Sequence, residues 1–145
     1  ENTPYDSGTE YEEGTWTPVM KTNTPSFDTT VTFTGGTQFF QYVKIGNICH
    51  VHFAISAATA SAPSGDEIIF EGFPFTFKSG SNWAVGTPIL IHPVGLDISA
   101  DSVIAGVQND TKAYVMSHAG AGYGFTNAAN SGTTYMSFSI TYLTE

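Results

Sequence analysis

The stretch FFQYVKIGNICHVHFAISA, Phe39 to Ala57, holds two strand-like runs hinged on Gly46-Asn47. Glycine at the first of two turn positions accepts a positive φ, so a Gly-Asn pair between such runs signals a two-residue hairpin. After the turn Cys49, Val51, Phe53 and Ile55 alternate with His50, His52, Ala54 and Ser56, the period of a strand and not of a helix. A two-residue turn fixes the pairs: Ile45 with Ile48, Lys44 with Cys49, Val43 with His50, Tyr42 with Val51, Phe40 with Phe53. One face then carries Phe40, Tyr42, Cys49, Val51, Phe53 and Ile55, which makes a core. The other carries Gln41, Val43, Ile45, Ile48, His50 and His52, which is half apolar. A hairpin greasy on one face and half greasy on the other predicts a second layer or a partner subunit over the mixed face.

Outside this hairpin the texture from Gly14 onward is also all-β. Strands are expected at Thr15–Thr22, Thr29–Thr34, Gln38–Ile45, Ile48–Ala57, Glu67–Gly72, Asn82–Ile91, Ser102–Gln108, Lys112–His118 and Thr133–Leu143, all rich in Val, Ile, Thr, Phe and Tyr. Turn clusters separate them, among them Gly35-Gly36, Pro63-Ser64-Gly65-Asp66 and Asn130-Ser131-Gly132. In the last strand Tyr135, Ser137, Ser139 and Thr141 oppose Met136, Phe138, Ile140 and Tyr142. No window presents a helical face. Short strands at this spacing predict an antiparallel β-sandwich or a barrel. Ala119–Asn130 is small, Gly-rich and unpatterned, and reads as a surface loop.

The chain has 145 residues, enough for one domain with a substantial core. Residues 1–13 are acidic and turn-rich, a linker from an upstream domain, and 14–145 form the single domain; a start at Glu1 points to a piece of a longer protein. Net charge is −9, with four lysines and no arginine. Phosphates would find no basic stripe, so nucleic acid is not an expected partner. No apolar run reaches the ~18 residues a span requires, and membrane insertion is not expected. Charged residues make up only 12%, and a neutral-polar surface suits sugar hydroxyls or close subunit contact. Cys49 is the lone cysteine; on the core face it reads as a structural thiol.

Catalytic patterns are weak. His50 and His52 share a strand face but have no third ligand near in sequence, so no metal site and no cofactor are read. Asp66 and Glu67 are adjacent and would point to opposite faces, while Asp97, Asp101 and Asp110 lie in expected loops as solvated acids. No G-x-S-x-G elbow occurs, and Gly120–Gly124 lacks the strand and helix a phosphate cradle needs. No catalytic residue is therefore assigned. Aromatic residues beside hydrogen-bonding neighbours are the remaining lead, since sugars stack on such faces. Trp83 beside Asn82, Tyr123 between two glycines, and Asp110 as an acceptor are the expected glycan contacts.

Three motifs stand in order: Tyr11-Glu12-Glu13-Gly14-Thr15-Trp16-Thr17-Pro18, then Tyr42-Val43-Lys44-Ile45-Gly46-Asn47, then Gly72-Phe73-Pro74-Phe75, followed by a terminal strand ending Ile140-Thr141-Tyr142. In this order they resemble the C-terminal domains of bacteriophage tail fibres and tailspikes, over nearly the whole chain from Tyr11 to Thr144. Phe73 stands where leucine is usual, and Phe40-Gln41-Tyr42 replaces a common Gly-Tyr. The resemblance implies a jelly-roll-like β-sandwich, a homotrimer at the distal end of a virion fibre, acting in trimer clamping, host-surface glycan binding, or both. Its partners would be itself and a bacterial surface polysaccharide or lipopolysaccharide. Val43, Ile45 and Ile48 are the expected trimer contacts. The motif residues read as fold residues: Trp16 packing, Gly46 turning, Pro74 bending. Two alternatives stay open, a monomeric carbohydrate-binding module of a polysaccharide-degrading enzyme and a small esterase or glycosidase.

Overall fold

The computed structural model describes residues 11–22, 29–60, 68–79, 84–88, 90–92, 103–106, 110–116 and 133–145. The hairpin is strand β5 (Thr37–Ile45) followed by β6 (Ile48–Ala60). Gly46 holds φ at 57°, and the register pairs Ile45 with Ile48, Lys44 with Cys49, Val43 with His50, Tyr42 with Val51 and Phe40 with Phe53. Cys49, Val51, Phe53 and Ile55 are buried, with Phe40 and Tyr42 packed against them. Beyond Ile55 the inward parity slips by one residue to the buried Ala58. The cause is an irregularity in the ladder with β12 (Thr133–Leu143), between Thr134 and Met136, since an extra residue on one strand reverses which side chains face inward.

The remaining strands are β1 (Tyr11–Thr15), β2 (Val19–Thr22), β3 (Thr29–Val31), β4 (Phe33–Thr34), β7 (Ile68–Glu71), β8 (Ala84–Pro88), β9 (Leu90–His92), β10 (Val103–Gly106) and β11 (Lys112–Met116). They form two six-stranded antiparallel sheets. The first runs β1-β5-β6-β12-β9, with β4 also on β6; the second runs β3-β2-β7-β11-β10-β8. No helix occurs among the described residues. The protein is thus all-β, in an arrangement consistent with a β-sandwich. The first strand begins at Tyr11, so Tyr11–Glu13 pair with Ile45–Val43 although the sequence places them in the linker.

Three stretches expected as single strands are each divided between the sheets. Thr15–Thr22 breaks into β1 and β2, Thr29–Thr34 into β3 and β4, and Asn82–Ile91 into β8 and β9. The first break has a visible cause. Trp16 buries its ring while its N–H still donates to Phe40 O on β5 at 3.3 Å, and Pro18 beyond it has no N–H to donate. The other two breaks fall at Thr32 and after Pro88.

Aromatic rings join the sheets. Phe53 stacks on Phe138 within the first sheet, with centroids 4.8 Å apart, and both meet Phe70 of the second edge-on, at 5.2 and 5.0 Å. Trp16 lies on Phe73 at 4.9 Å, and its Nε1–H donates to the His52 carbonyl at 3.1 Å. Residues 72–79 form a strap across one end. Phe73 and Phe77 are buried, the Phe77 N–H donates to Asp110 O, Lys78 N–H to Leu143 O, and Thr144 N–H to Asn47 O. Phe75 meets Tyr42 edge-on, and the Lys44 ammonium lies 5.2 Å from its ring. The three motif segments therefore touch one another, with Trp16 buried, Gly46 at the hairpin turn and Pro74 at a bend, as their sequence context predicts.

Candidate functional site

The face of the first sheet that points away from the core carries a grid set by register. Nearest the hairpin turn, Tyr11 pairs with Ile45, Ile45 with Ile48, and Ile48 with Leu143. Pairing alternates side chains between faces, so these four form one row across four strands. All are exposed, between 42% and 55%. The next row is Glu13, Val43, His50 and Thr141; the one after is Thr15, Gln41, His52 and Ser139. An exposed Phe39 follows, opposite Ala54. Val43, Ile45 and Ile48, expected at a trimer contact, thus share one outward face, with Val43 half-buried. Tyr11 and Leu143 extend their row. Both were missed because cross-strand neighbours beyond the hairpin depend on register that sequence spacing does not supply.

Polar groups on this face are held in place to different degrees. His50 Nδ1 is hydrogen-bonded to Thr141 Oγ1 at 2.8 Å, and His52 Nδ1 to Ser139 Oγ at 2.9 Å. Phe39 meets the His52 ring edge-on, at 5.7 Å. The Tyr11 hydroxyl donates to Glu13 Oε2 at 2.5 Å; on the opposite face of the same strands the Tyr42 hydroxyl donates to Glu12 Oε1 at 2.6 Å. Each carboxylate stabilises the protonated phenol beside it and raises its pKa. Between β1 and β5 lies an open groove of about 290 Å³, lined by Glu13, Gly14, Thr15, Gln41, Tyr42 and Val43.

Of the three expected glycan contacts, Asp110 alone lies among the described residues. Asp110 is built into a turn. Its Oδ1 accepts the Thr111 N–H at 2.7 Å, its Oδ2 lies 3.6 Å from Lys112 Nζ, and its carbonyl anchors the strap. Trp83 and Tyr123 lie outside the described residues. Among the described residues no group of three or more His, Cys, Asp or Glu could hold a metal ion. Cys49 is buried, and burial raises its pKa above the usual thiol value, opposed by a hydrogen bond with Tyr142 and by Lys44.

No protein-family model matches the chain, and no curated protein matches it. The site is therefore read from its own geometry.

Proposed function

We propose that this chain is a non-catalytic tip domain of a bacteriophage tail fibre or tailspike, a jelly-roll-like homotrimer that recognises glycan on the bacterial surface. The observation that carries the reading is the outward row Tyr11-Ile45-Ile48-Leu143. Four adjoining half-exposed apolar side chains at one end of a sheet form the kind of patch that marks a subunit contact. Each is worth roughly 1.5–3 kcal/mol when fully buried, so the row offers several kcal/mol per subunit. The mutual contact of the three motif segments supports the resemblance to such tips, and the neutral-polar surface supports sugar recognition.

Light scattering on the chain at micromolar concentration tests the assembly. A mass three times the 15.5 kDa of one chain is expected. A monomer that still binds polysaccharide would replace this reading with a carbohydrate-binding module. Release of reducing ends or acyl groups from host polysaccharide by the chain alone would replace it with a hydrolase.

A further inference from the structure

We propose that the groove between β1 and β5 is a subsite for one uncharged sugar residue, contacted by Glu13, Thr15, Gln41 and Val43; this rests on the glycan-binding reading above. The register puts the four side chains at the corners of a rectangle, Glu13 opposite Val43 and Thr15 opposite Gln41. Spacings of about 5 Å across strands and 7 Å along them give the footprint of a single six-membered ring. The volume of about 290 Å³ is at the lower bound of small-ligand sites. A sugar needs both donors and acceptors from its host, because each of its hydroxyls is both. The carboxylate accepts, while the amide and the hydroxyl do either. Val43 supplies an apolar corner for the C–H face of the ring.

The free valences are in place. Tyr11 takes one oxygen of Glu13 and fixes the carboxylate's orientation, leaving Oε1 to a ligand. The Gln41 amide and the Thr15 hydroxyl, on exposed residues, have no side-chain partner among the described residues. Behind the groove, His52 and His50 are locked onto β12, which keeps that wall from rearranging.

Charge selects the ligand class. The groove holds a carboxylate and no lysine, and the chain carries −9. A uronate, sialate or phosphorylated sugar would meet Glu13 at short range and a repulsive field at long range. A neutral hexose or deoxyhexose meets neither. The groove adjoins the apolar row, at the position a polar rim takes beside a buried contact.

The test is binding of the full chain to an array of neutral oligosaccharides (gluco-, galacto-, manno- and rhamno-) alongside polygalacturonate and polysialate. At least one neutral ligand should bind and both polyanions should not. Glu13→Gln and Gln41→Ala should each weaken that binding about tenfold, the loss of one good hydrogen bond, with molar mass and thermal midpoint unchanged, and Asp110→Ala should leave it as it was. Neutral binding that ignores both groove variants overturns this subsite and leaves glycan recognition standing elsewhere on the chain. Binding of the polyanions alone overturns the ligand class. A trimer that binds nothing on the array overturns both this subsite and the glycan reading.

Discussion

Gly46 and Gly72 both hold positive φ, 57° and 83°, for different reasons. At Gly46 an added Cβ meets open space, so only the backbone conformation resists substitution. At Gly72 the same atom would collide with the Thr17 carbonyl oxygen, where the first and third motifs touch. Gly46→Ala should cost about 1 kcal/mol and Gly72→Ala about 3 kcal/mol or more, read from urea midpoints at constant m. Tyr142 makes a second residue-scale prediction. Its hydroxyl donates to Phe75 O at 3.1 Å and accepts the Phe75 N–H at 3.4 Å, and burial first, then the bond with Cys49, pushes its pKa well above 10. The native state thus keeps a proton that the unfolded chain releases near pH 10. This stability is fully present below that pH and is lost progressively as pH rises above it toward the higher folded-state pKa, because over that interval the unfolded state binds fewer protons than the native state. Tyr142→Phe should cost about 1–3 kcal/mol at pH 7 by leaving the Phe75 groups unpaired. It should also flatten the decline in unfolding free energy between pH 10 and 11.

Elements add what single residues lack, an inside and an outside. Phe39 and Phe40 are neighbours in sequence, yet Phe40 stacks on Phe53 at 5.0 Å against the core while Phe39 lies on the outward face, exposed beside the His52 ring. Phe40→Ala should cost about 3 kcal/mol, at the low end for a buried ring, and Phe39→Ala within about 0.5 kcal/mol; chemical denaturation separates them. This difference was legible in the sequence, because a two-residue turn and strict alternation leave one register. The final strand was legible for the same reason: Met136, Phe138, Ile140 and Tyr142 are all buried. The sheet crossings were not. A strand that bends from one sheet to the other keeps its alternation, so Thr15–Thr22, Thr29–Thr34 and Asn82–Ile91 look continuous on the page. The bulge between Ile55 and Ala58 was equally silent, since its effect is felt only against a partner strand. The outward face suffered most. Glu13 and Gln41 lie far apart in the chain and share a groove only because β1 comes home beside β5, a neighbourhood that spacing along the sequence does not show.

For the whole molecule the same outward row makes a fourth prediction. Ile45→Asp or Leu143→Asp places a carboxylate among exposed apolar neighbours and barely touches the core. Each variant should remain folded by far-UV circular dichroism while its mass by light scattering falls to that of one chain. A trimer of unchanged stability in both variants would place the contact on another surface. The position of β12 carries a further consequence. It lies inside the first sheet, between β6 and β9, and pairs His50 with Thr141 across 91 positions. Closing so long a loop comes before any contact that rewards it, which slows the search for the native state. Until Thr133–Leu143 arrive, the hairpin offers one bare edge of unpaired N–H and C=O groups, a template for another chain's strand. A nascent chain therefore carries this hairpin half-zipped until Thr133–Leu143 emerge, and the arrival of that strand decides between folding and aggregation.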